Sequence, residues 1–292
     1  MDVRKPSAAG QFYPADEKRL EQSIKECFMD ERGPKRLPEI QEGDKNVRGV
    51  VVPHAGLPFS GAIAAHSFLF LAENGFADSF IVLGPNHTGM GSGVAVMTKG
   101  GWEMPFGRIP INQDFGEQLA QGKIIDEDEK AHSREHSIEV QLPFLQHIKK
   151  QDWDFVPICM AMHDMKTCEE IGRFIAEIIE ESDRKTAIVA SSDFSHIGMN
   201  YMSMPPAGMR VDEYAEKQDK KAIEPILNLD SEGLVETVEE ENISMCGYGP
   251  VAAMMVASIK LGAENAELFK YGSSYEVHPG QSCVGYGSIG IY

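Results

Sequence analysis

Short apolar, β-branched runs alternate with longer stretches of helical spacing along this chain. A helix is predicted over residues 16–29, followed by a Pro- and charge-rich loop over 33–45. Residues 47–53 read as a buried strand, because the run is continuously apolar rather than alternating. Ser60 is the predicted N-cap of a helix reaching residue 72. Further strands are predicted at 79–83, 154–159 and 185–190, and helices at 137–149, 167–181, 212–226, 231–239 and 249–261. Two strands, near 267–274 and 282–291, close the chain. This alternation predicts an α/β fold over residues 1–292: a single three-layer domain with a mostly parallel central sheet flanked by helices.

Composition narrows the picture. The formal net charge of −18 argues against a nucleic-acid partner, since phosphate contacts need clustered Lys and Arg. No apolar run is long enough to span a bilayer, and residues 1–18 hold no apolar signal-like core, so no membrane partner and a cytoplasmic location are expected. The five cysteines are odd in number and widely spaced, with no CxxC, which argues against a disulfide framework. Cys159 falls in an apolar run and reads as a core residue.

Candidate chemistry collects at the ends of the predicted strands, where open α/β sheets bind ligands. His54, in Pro53-His54-Ala55-Gly56, and His87, in Gly84-Pro85-Asn86-His87, each follow a strand, as does His196. Two imidazoles fix half of a small coordination sphere. His196 lies close to Asp193 and to Ser191, Ser192 and Ser195, a setting for an acid/base histidine with an orienting carboxylate. A Ser-His-Asp hydrolase is the rival, but no GxSxG elbow precedes the histidine. Cys246 precedes the helix at 249, where a lowered thiol pKa is expected, making it a nucleophile or a soft metal ligand. Ser137 is a predicted helix cap that clusters Glu135, His136 and Glu139 in a first turn. His136, Glu139 and Ser192 are assigned to places behind the ligands or facing a substrate. His66, His147 and His163 read as structural.

Six ordered motifs add a resemblance: residues 4–14, Pro53-His54-Ala55-Gly56, residues 83–87, residues 135–139 with Leu142-Pro143, residues 191–196, and Cys246-Gly247. Together they resemble the Memo family (mediator of cell motility), known in prokaryotes as AmmeMemoRadiSam system protein B. The resemblance implies a fold like that of the class III, LigB-type extradiol dioxygenases, whose Fe(II) is held by two histidines and a carboxylate. It implies His54 and His87 as metal ligands, His196 as the acid/base histidine, and Cys246 where those enzymes carry a glutamate. A thiolate there favours Fe(II), Cu or zinc over hard ions. The family is linked to iron and copper, to copper-dependent redox activity, to phosphotyrosine peptides in animals, and to radical-SAM and AMMECR-type partner proteins.

Three functions follow as expectations. One is a mononuclear iron or copper site of dioxygenase-like, oxidoreductase character, acting on a small molecule or peptide in the crevice. Another is a non-catalytic peptide- or protein-binding module with a vestigial metal site. The third is a thiol-dependent enzyme or hydrolase using Cys246.

Overall fold

The structure is a computed structural model and describes residues 3–292. Its strands are β1 (Gly49–Val52), β2 (Ser79–Pro85), β3 (Val94–Val96), β4 (Gly101–Met104), β5 (Gly107–Pro110), β6 (Asp126–Glu127), β7 (Asp154–Met160), β8 (Thr186–Ser191), β9 (His196–Gly198), β10 (Ala266–Ser273) and β11 (Ser282–Ile291). The main sheet runs β10-β11-β1-β8-β2-β7-β3-β6, with β9 against β11. Its centre, β1-β8-β2-β7, is parallel throughout, as the strand–helix alternation predicts. The flanks are mixed: β11 is antiparallel to β1 and β10, and β3 is antiparallel to β7.

The helices are α1 (Glu17–Met29), α2 (Ala62–Glu73), α3 (Gln113–Leu119), α4 (Glu129–His132), α5 (Leu142–Ile148), α6 (Met165–Glu180), α7 (Val211–Leu227), α8 (Ser231–Glu240), α9 (Tyr248–Lys260) and α10 (Ser274–Val277). Alternate strand residues face opposite sides, so each central strand feeds two cores. Val51, Ile81, Leu83 and Ile188 pack with Ile171 and Ile175 of α6 and Val251 and Met254 of α9. Val50, Val52, Phe80 and Val189 pack with Leu20 and Phe28 of α1, Phe68 of α2 and Phe144 of α5. This two-sided burial is why the strands are apolar at every position. Among the described residues no helix is long and apolar enough to cross a membrane.

Two expected caps are not caps. Ser60 sits inside a wide π turn, Leu57–Gly61, and its hydroxyl donates to the Ala55 carbonyl. Pro58 starts this turn early and moves the helix start past Ser60. Ser137 also caps nothing: α5 starts at Leu142 after a 3-10 turn, Glu139–Gln141, and the Ser137 hydroxyl donates 2.9 Å to the Pro85 carbonyl. Residues 94–132 form short elements outside the predicted set. Their strands are brief, and β5 and β6 are largely exposed, so no long apolar run marks them.

The N-terminal segment is anchored by a buried ion pair. Arg4 Nη1 donates to Glu139 at 2.6 Å, with both side chains nearly inaccessible. Arg4 also donates to the carbonyls of His132 and Glu135, at 2.6 and 2.7 Å, and stacks over Trp102. Glu139 further accepts from the Ser7 and Ala8 amides and the Tyr13 hydroxyl. Burial alone would raise the Glu139 carboxyl, but Arg4, Tyr13 and these amides hold it below its ordinary 4.5. A depressed carboxyl contributes stability that is complete above about 4.5 and lost as pH falls through its folded value. Glu139→Gln strands the guanidinium and is expected to cost about 3–5 kcal/mol at pH 7. In urea denaturation the gap to the parent chain should narrow in acid; a gap independent of pH would contradict the ion-pair account.

Candidate metal centre

Strand register builds the site. Val52 pairs with Ser191, and the Ser192 amide donates to the Val52 carbonyl at 2.9 Å, which sets His54 beside residues 191–193. Pro85 at the end of β2 is paired with Met160, and His87 lies two residues beyond. His136 arrives from the loop before α5, which is tied down where Ser137 bonds Pro85. The ring centroids of His54, His87 and His136 lie 4.7–5.4 Å apart. One nitrogen from each falls within 4.8 Å of the others, a geometry that can hold a metal ion. Sequence reasoning placed His54 and His87 here but left His136 behind the ligands. His136 belongs in the cluster by position.

Hydrogen bonds fix which nitrogen His54 and His87 offer. Ser191 Oγ donates its proton to the Ser137 carbonyl and lies 2.7 Å from His54 Nδ1. It must therefore accept from that ring, so Nδ1 carries the proton and Nε2 the lone pair. Glu135 Oε1 lies 2.9 Å from His87 Nδ1 and 3.3 Å from His136 Nδ1. A carboxylate only accepts, so the His87 ring, which bonds it, is protonated at Nδ1 and presents an Nε2 lone pair, while the His136 ring lies near the same charge without a hydrogen bond to it. Burial, then the neighbouring histidines, hold His54 well below its ordinary value. Burial takes His136 down to about 4, with Glu135 opposing. Two rings that resist protonation, His54 and His136, and a third whose Nδ1 is held by Glu135 bring their nitrogens close enough to fit a metal cation. His54 forms the floor, while His87 is exposed and leaves the mouth open.

Glu135 is the group that sequence reasoning undervalued. It is fully buried and also accepts from the backbone amides of His87, His136 and Ser137, at 2.6, 2.9 and 2.9 Å. Burial would raise its pKa, but the His87 ring and the Ser137 amide bring it down to about 2. Its early place in the predicted first turn was the one available signal.

Cys246 joins the cluster at His54: its sulfur lies 3.2 Å from Nε2. Gly247 permits the approach, because a Cβ there would sit 2.4 Å from the Ser191 carbonyl oxygen. The expected lowering of its thiol pKa is reversed. Burial of the sulfur away from water, then the Asp193 carboxylate, push it well above its ordinary 9.0, although the residue as a whole keeps some exposure. The helix start at Tyr248 is two residues away and does not offset this.

Three other expected roles change. Glu139 does not face the crevice, because its oxygens are taken by Arg4, Ser7, Ala8 and Tyr13. Asp193 is buried, and its Oδ1 accepts from the His54 amide at 2.8 Å. The His196 ring instead holds the Ser244 carbonyl through Nδ1 at 2.9 Å, so Asp193 acts on it by charge alone. Ser192 closes a turn, donating to the Asp193 carbonyl and accepting from the Gly247 amide. Phe12 stacks on His136 at 4.3 Å and also lines a groove of about 740 Å³ with Leu57, Pro58 and Arg19.

The Memo-like protein family model matches residues 4–290. The chain belongs to the Memo-like family. It is similar to MEMO1 family proteins of Methanopyrus kandleri (46% identical over 288 residues, 98% of each chain) and Methanosarcina barkeri (44% over 288 residues, 98% of this chain and 99% of that one). Its fold is similar to the crystal structure of an uncharacterized protein from Escherichia coli K12, with TM-score 0.52 and 15% identity, covering 84% of this chain and all of that one. Within the Memo-like chain, Glu135→Gln keeps the side-chain shape and removes the charge that orients the His87 ring. Competition titration should show Zn(II) affinity lowered by about 10–100-fold. Unchanged affinity would remove Glu135 from that role.

Proposed function

We propose that this Memo-like protein binds one iron or copper ion through His54, His87 and His136, with Cys246 as an additional sulfur ligand, and carries out redox chemistry on a small molecule at the open mouth. One observation carries it: a nitrogen from each of His54, His87 and His136 lies within 4.8 Å of the others, with a thiol 3.2 Å from His54 Nε2. When bound, such an ion supplies electron transfer and open coordination positions.

The chain's own residues supply the rest. Ser191 keeps His54 and Glu135 keeps His87 in one tautomer. His196 donates from Nδ1 to the Ser244 carbonyl, which leaves its Nε2 to accept or return a proton. The buried Asp193 places a carboxylate close enough to influence that histidine while holding the His54 backbone. The groove bordered by Phe12 is where a small molecule or peptide would approach.

A second reading, a thiol nucleophile with His54 as base, draws on the same 3.2 Å contact. It is weaker, because the imidazole is held neutral and the thiol protonated, so the pair does not ionise by itself. Cobalt substitution separates the two. Co(II) bound to the parent chain should show a sulfur-to-cobalt charge-transfer band in the near ultraviolet. Cys246→Ser should lose the band yet still bind Co(II), and His54→Ala/His87→Ala should lose binding. Co(II) bound equally by parent and double-histidine variant would sink the proposal.

A further inference from the structure

Four of the chain's 15 methionines, Met199, Met202, Met204 and Met209, crowd into residues 199–209. Elsewhere methionine is mostly a packing residue: Met97, Met104, Met160, Met245, Met254 and Met255 are all buried. In this loop Met199 is 73%, Met202 95% and Met204 58% exposed. The loop does not need them for its shape. The Gly198 amide donates to the Ser203 carbonyl at 2.6 Å, and the Met209 amide donates to the Pro206 carbonyl at 3.1 Å. Side chains that neither pack nor shape the backbone, yet repeat the same soft donor, call for a ligand that the donor recognises.

Three of them share a cavity. Met199, Met204 and Met209 line a space of about 280 Å³ together with Tyr275 and Gln281. Arg210 borders it too, but its guanidinium is engaged by the Asp212 and Glu213 carboxylates, which offsets its charge. The rest of the lining is Val211, Gly280, Tyr275, Gln281 and the three methionines, so the thioethers are its soft donors. No His, Cys or carboxylate lines it. Neutral, soft sulfur donors select Cu(I) over Zn(II) and over hard oxygen-seeking ions.

We propose that Met199, Met204 and Met209 form a thioether site for Cu(I), separate from the histidine centre and reached by the same loop that follows His196. The proposal uses none of the histidine-centre ligands and stands whether or not that centre binds metal.

The test is anaerobic Cu(I) titration against a chromophoric Cu(I) chelator, on the full chain and on its His54→Ala/His87→Ala variant. In both backgrounds, Met199→Leu/Met204→Leu/Met209→Leu should weaken one equivalent of Cu(I) at least tenfold. Met162→Leu, which removes an exposed methionine outside the cavity, should change nothing. Leucine keeps the apolar surface and removes the sulfur, so Cu(I) binding unchanged by the triple substitution would overturn the proposal and leave the loop an apolar face. Carbon-13 labelled methionine methyl resonances of the unmutated chain give a reading that does not depend on the variant folding. Ag(I), a redox-inert stand-in for Cu(I), should shift those of residues 199, 204 and 209 together, and their failure to move would equally overturn the site.

Discussion

One buried carboxylate, Glu135, holds the centre together. Taking a carboxylate out of water costs several kcal/mol unless its lone pairs are filled. Here they are filled by three backbone amides and by the ring of His87, with the His136 ring close by. The bonds that satisfy the charge are the ones that position the site. They fix where the backbone of His87 and His136 sits, and they leave the His87 ring its Nε2. The carbonyl of the same residue accepts from Arg4, whose other partner is Glu139, so the anchor of the N-terminal segment and the frame of the centre are one polar network inside an apolar shell.

The sheet supplies the other half of the frame. His54 depends on the parallel pairing of β1 with β8, which brings Ser191 and Asp193 beneath it. Cys246 depends on the close approach of Gly247 to the Ser191–Ser192 backbone. Floor, walls and sulfur therefore come from widely separated segments held by main-chain contacts. A buried His54 below an exposed His87 leaves access from one side only.

The central fold was readable because burial on both faces writes itself into the strands as unbroken apolar runs. The strand-end positions of His54 and His87 followed from that pattern. What escaped depends on contacts distant in sequence or on balances that a sequence does not display. His136 enters the cluster through Ser137, which bonds Pro85 instead of capping a helix. Glu139 looked like part of the site until Arg4, 135 residues away, claimed it. The thiol of Cys246 was expected to ionise more easily beside a helix start. Burial and the nearby Asp193 charge outweigh that effect. Asp193, adjacent to His196 in a serine-rich motif, turned to the His54 backbone.

Three imidazoles that bring one nitrogen each to the same point are the centre of the site. Long-range proton–nitrogen correlation spectra of the histidine side chains report which ring nitrogen carries the proton. In metal-free protein at neutral pH, His54 and His87 should carry a proton at Nδ1, and one equivalent of Zn(II) should shift a ring nitrogen of each of His54, His87 and His136 together. A bare Nδ1 in His54 or His87, or ring nitrogens that ignore the metal in any of the three, would contradict that arrangement.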